Sequence, residues 1–285
     1  MNKAPDLSEP AAFISLAPPD VAGWAAAFER RDIPVLATTI QALNGLRANE
    51  DAVDAHSLAD TLAADPLMTL KLLRHVAALR RDRERSDPET ATEALVMLGI
   101  TPFFRDFAQL NAVEQRLAGQ GAAQAGLNRV LRRAHRAARF ALGFAVHRQD
   151  HDAALIHEAA LLHGFAEMLL WLHAPSLALA VLKRLREQPG LRSRAAQREL
   201  LHIELGELQQ ALMKTWRLPE LLVRISDGRE SQLTQVRNVQ LAIQLARHSE
   251  QGWDNPALPD DVTAIAELLN LAPGPTLHLL HSLSL

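Results

Sequence analysis

HEAALLHGFAEMLLWLHAP, residues 157–175, decides the fold. Leu161, Leu162, Phe165, Met168, Leu169 and Leu172 recur at spacings of three and four, which predicts one long helix with apolar side chains on more than one side. Such a helix belongs inside a bundle. Its polar groups, His157, Glu158, His163 and Glu167, fall near one face, because residues three, four and seven apart stack on a helix.

Composition points the same way. Apolar residues make up 48% of the 285, too many for a disordered chain and enough for a large core. Tyrosine is absent and aromatics are 4%, whereas strands enrich aromatic and β-branched residues, so the expected class is all-α. The formal charge of -3 gives no general attraction to nucleic acid or an anionic membrane. Without cysteine there is no disulfide, thiolate nucleophile or Cys-type metal site. The start lacks a signal-peptide core and no uninterrupted apolar window reaches about 18 residues, so a cytoplasmic protein with no membrane span is expected.

Outward from the central stretch, residues 1–20 carry four prolines and read as a flexible leader. Trp24 and Phe28 form an i,i+4 pair that docks a short helix. Residues 30–47 place Ile33, Leu36, Ile40 and Leu43 on one stripe, with Pro34 in a first helical turn. Asp54 or Ser57, and then Asp65 before Pro66, are helix caps. The charged run at 80–88 reads as a solvated linker, with Ser86 or Asp87 capping the next helix, and Gly99 as a helix stop. GQGAAQAG at 119–126 is the expected internal turn. The next helix turns Leu127, Val130, Leu131, Ala134, Ala138, Ala141 and Leu142 inward and carries a stripe of Arg129, Arg132, Arg133, Arg136 and Arg139.

AALLHGFAEMLL at 159–170, ELLHIELGELQQALMKTWRLPE at 199–220 and the DPLMTLKLLRHVAAL segment from Asp65 resemble the HD-related output domain family, HDOD, over about residues 30–230. The resemblance implies a standalone bacterial member with a helical N-terminal lobe at 21–118, an HD-like lobe at 127–250 and a tail at 251–285. It also implies where a metal would have been held in the related phosphohydrolases: His163 matches the histidine of the HD pair, His135 an early ligand, and His202 belongs to the later helix. An active site of that kind needs imidazoles and carboxylates converging from separate helices on a metal that activates water. Gly164 stands where the aspartate would be, and Ser226 and Asp227 stand where further histidines are expected. Glu158, Glu167, Glu199 and Glu204 are the carboxylates left to substitute.

The expected function is therefore a non-catalytic signalling or regulatory scaffold with no metal and no cofactor, acting through contact with an unidentified signalling protein. Two alternatives stand beside it, a metal-dependent phosphohydrolase of a nucleotide or cyclic nucleotide and a nucleotide-messenger sensor without hydrolysis. The expected interaction surface joins Arg129, Arg132, Arg133 and Arg136 to Leu277 and Leu280 of the tail, and a homodimer hiding the same leucines fits equally well. His163 and His202 read otherwise as satisfied packing histidines, and Trp171 and Trp216 as core residues.

Overall fold

A computed structural model describes residues 12–79, 88–227, 230 and 232–284. Among these the chain is helical throughout, apart from one parallel bridge between Val35 and Ala112. Helix α1 (Val21–Glu29) starts where the Asp20 carboxylate accepts from Gly23 N–H, and it buries Trp24 and Phe28. The leader expectation fails from residue 12 onward, and residues 1–11 lie outside the described part. Ile14 N–H donates to His173 O at 2.7 Å, and the Arg116 guanidinium lies 4.1 Å from the centre of the Phe13 ring.

The second helix, α2 (Ala37–Arg47), begins after Pro34, not around it. Residues 33–35 are extended instead, because Val35 bonds Asn111 O and Val113 N–H. Leu36 at the N-cap has no side-chain acceptor, so distant carboxylates do the capping. Asp65 accepts from Leu36 N–H at 2.8 Å and Glu114 from Ala37 N–H at 3.0 Å. A 3-10 turn (Glu50–Ala52) leads to α3 (Ala55–Ala63), capped by Asp54, and α4 (Pro66–Leu79), whose first turn Asp65 also caps. The run at 80–87 lies outside the described residues. Thr90 caps α5 (Ala91–Leu98), and Gly99, at φ 87, turns the chain into α6 (Ile100–Asp106). Helices α2 to α6 pack in succession on one another.

After α7 (Val113–Arg116), the expected turn at 119–126 shrinks to Gly119 and Gln120, because α8 (Gly121–Arg148) already includes Gly121 to Gly126. Gly126 is there for closeness: a Cβ on it would stand 2.5 Å from the Trp171 ring. Gly126→Ala is expected to cost about 1–3 kcal/mol by overpacking, and less in a Trp171→Phe background that lacks the outer ring. Urea unfolding of the four-protein cycle measures this; strictly additive effects would mean that the notch does not hold the ring.

The central stretch forms two helices, α9 (Ala153–Leu162) and α10 (Phe165–His173), separated by His163 and Gly164. By length and composition 153–173 is apolar enough to cross a membrane, and most of it is buried inside the bundle, as the core of a helical protein is. Around it lie α11 (Pro175–Glu187), α12 (Ser193–Leu201), α13 (Leu205–Thr215), α14 (Glu220–Ser226) and α15 (Thr234–His248), with α8 packed most extensively on α9 and α15. Helix α1 packs on α13, with Trp24 Nε1–H donating to Leu201 O at 2.9 Å, so it joins this group and not α2 to α6. The tail forms α16 (Leu258–Leu269) and α17 (Pro273–Ser284), and α17 returns to α8 with Leu283 over Gly143.

Candidate functional site

The junction between α9 and α10 is where the motif residues converge. Gly164 has no positive φ, and a Cβ there would meet only Val130 Cγ1 at 3.5 Å. Neither the backbone conformation nor the space for a Cβ requires glycine here. His163 is half-buried, and its Nδ1 is buried without a hydrogen-bond partner. Burial foremost, then the Arg247 and Arg133 guanidinia, brings its pKa down to about 4, so the ring is neutral at ordinary pH. The satisfied imidazole expected there is corrected on the Nδ1 side.

The other motif histidines are not gathered around it. His135 on α8 has His157 as a Coulombic neighbour, and burial lowers the pKa of both rings. Asp65 draws the His135 pKa upward but is committed elsewhere, accepting from Leu36, Thr39, Leu67 and Met68. His202 is exposed in the left-handed turn that ends α12, with Nδ1 3.1 Å from Pro18 O. It anchors the residues before α1, not the helix after it. Ser226 is buried at the end of α14. Among the described residues no group of three or more His, Asp or Glu side chains is placed to hold a metal, so the donor set does not fit one.

The expected interaction surface is largely internal. Arg133 donates to Glu167 at 2.6 Å, Arg136 donates to Ser249 O and Oγ, and Arg129 lies 3.9 Å from Glu250. Of the four named arginines only Arg132 is exposed. Leu280 is fully buried and Leu277 is 41% exposed, so the tail contributes one leucine to the surface and uses the other as core. Leu142, expected inward, is 36% exposed, and Val146 one turn further on is 63% exposed.

Three features had weak or no signals in the sequence. Glu158 sits on the polar face of the central stretch, but nothing local shows that its carboxylate is buried and accepts from Ala91 N–H at 2.8 Å across 67 residues. Burial, with Glu93 adding to it, lifts its pKa to about 7, and Oε1 has no partner. His173 is 3% exposed with neither ring nitrogen hydrogen-bonded, beside the Phe28 ring. A cleft of about 310 Å³ opens between α2 and the end of α6, walled by Phe103, Phe104, Phe107 and Arg47. Arg47 is occupied in capping α6, donating to the Phe104 and Phe107 carbonyls.

An all-helical bundle built on a broken central helix, with no metal donor set among the described residues, defines the class. Residues 33–229 match the HDOD domain family, and the chain belongs to that family. The MmoQ response regulator from Methylococcus capsulatus superposes with a TM-score of 0.65 at 22% identity, over 87% of this chain and 98% of that one. A virulence factor from Campylobacter jejuni does so with a TM-score of 0.62 at 18% identity, over 92% and 97%. These likenesses establish the fold. No curated protein matches the sequence.

Proposed function

We propose that this protein is a non-catalytic regulatory component of a bacterial signalling system that works by binding another protein. One observation carries the reading: His163 is followed by Gly164, His202 is turned to Pro18 O, and no metal donor set is assembled among the described residues. In this reading α2 to α6 form the N-terminal lobe and α8 to α15 the HD-like lobe, joined across Glu158 and Ala91. The likeness to a response regulator supports a signalling setting. Exposed Leu142, Val146 and Leu277, with Arg132 and Arg139, are among the side chains available to a partner.

The test is metal reconstitution with Mn, Fe, Ni or Zn, followed by elemental analysis and assay on a phosphodiester and on cyclic nucleotides. We expect neither stoichiometric metal nor turnover, and none in Gly164→Asp, because one carboxylate does not assemble the remaining ligands. Stoichiometric metal that is lost in His163→Ala, or turnover that depends on it, overturns the reading.

A further inference from the structure

We propose that α8, α10 and α15 form a binding site for a phosphoryl anion, with Arg247 and Arg133 as its cationic walls. Arg129 and Arg133 lie one turn apart on the same face of α8, and Arg247 lies on the last turn of α15, three residues before Glu250. Glu250 reaches back to Arg129 at 3.9 Å and Glu167 on α10 holds Arg133 at 2.6 Å, which joins the three elements at one place. Three guanidinia thus share two carboxylates. Both carboxylates are committed to the α8 arginines, and Arg247, which is exposed, meets no carboxylate within ion-pair distance among the described residues.

Like charges set together cost energy unless an anion joins them: burial first and Arg133 next disfavour the charge of Arg247, Arg194 adds to this, and Glu167 and Glu250 oppose it. Two further groups belong to the start of α10, whose first turn carries Glu167. His163, whose Nδ1 is buried without a partner, feels both guanidinia. The amino end of α10 has glycine at its cap and no side chain bonded to it. A phosphoryl group fits this set because guanidinium forks match its oxygens in pairs and the three guanidinia exceed the two carboxylates by one positive charge. Such a site needs no protein partner to form, since a regulator can sense a small anion and pass the signal on.

The experiment is calorimetric titration with inorganic phosphate and with a nucleoside monophosphate, at low and raised chloride, using the full chain and Arg247→Gln, Arg247→Lys and Arg186→Gln. We expect Arg247→Gln to weaken binding about 10-fold or more, Arg247→Lys to weaken it less, and the exposed control Arg186→Gln, on α11, to leave it unchanged. Equal affinity for both probes identifies the phosphoryl group alone as the ligand; tighter nucleotide binding that is still lost in Arg247→Gln identifies a nucleotide. No binding by the wild-type chain, or equal binding by a folded Arg247→Gln protein, overturns the site. Neither result bears on metal content or turnover, so the anion site and the non-catalytic reading fail separately.

Discussion

Replacing His173 with phenylalanine is expected to remove roughly 5 kcal/mol of acid sensitivity between pH 6.5 and pH 3. Burial, then Arg116 and Arg31, pushes the pKa of this imidazole down to about 3, with Asp32 pulling only weakly the other way. Between 3 and the ordinary 6.5 the unfolded chain takes up a proton that the native ring refuses. Stability is therefore fully present above pH 6.5 and falls as the pH drops toward the native pKa. His163, with a pKa of about 4, adds a smaller loss of the same sign. Because neither nitrogen of His173 makes a full hydrogen bond and Phe28 lies against the ring, a phenylalanine gives up only the approach to the Asp32 backbone and keeps the aromatic packing. Urea unfolding at successive pH values measures the effect. An unchanged acid limb in His173→Phe would show that the ring is not held neutral in the fold.

Glu158→Gln is expected to stabilise the protein by roughly 3 kcal/mol at pH 8 and to change nothing of that size at pH 4. The sign is opposite to that of the histidines. With its pKa raised from 4.5 to about 7, the native carboxyl keeps its proton where the unfolded chain has released it. Its contribution is complete below 4.5 and is lost as the pH rises through about 7, when a charge must be buried with Oε1 unpartnered. Glutamine keeps the acceptor for Ala91 N–H and carries no charge. Wild-type stability should thus peak near pH 6.5, about where the histidines begin to take protons, and the Gln variant should turn that peak into a plateau on the alkaline side. A variant no more stable than wild type at pH 8 would place water or a counter-charge at the carboxylate.

Much of this molecule could be read without coordinates. Apolar periodicity from Leu161 to Leu172, together with a composition poor in strand formers, specifies buried helices, because the 3.6-residue period is a local property of the chain. The caps at Asp54 and Asp65 and the stop at Gly99 are local too, since each acts within a few residues of itself. Gly164, where the resemblance places the HD aspartate, was a single letter that argued against HD chemistry in the sequence.

What the tertiary structure decided were matters of distant partnership. Glycines at 121 and 126 read as a break because glycine is a poor helix former, but Gly126 is helical and makes room for Trp171, 45 residues away. The start of α2 moved to Ala37 because its caps are Asp65 and Glu114, which no local pattern reveals. An arginine stripe in the sequence became three anchored side chains and one exposed one, since Glu167, Ser249 and Glu250 come from other elements. The sequence by itself determined that the chain is helical and that glycine, not a carboxylate, stands at 164. Only the packed fold, by burying His173 and Glu158, decided at which pH these groups carry charge, because desolvation and Coulomb energy depend on neighbours in space.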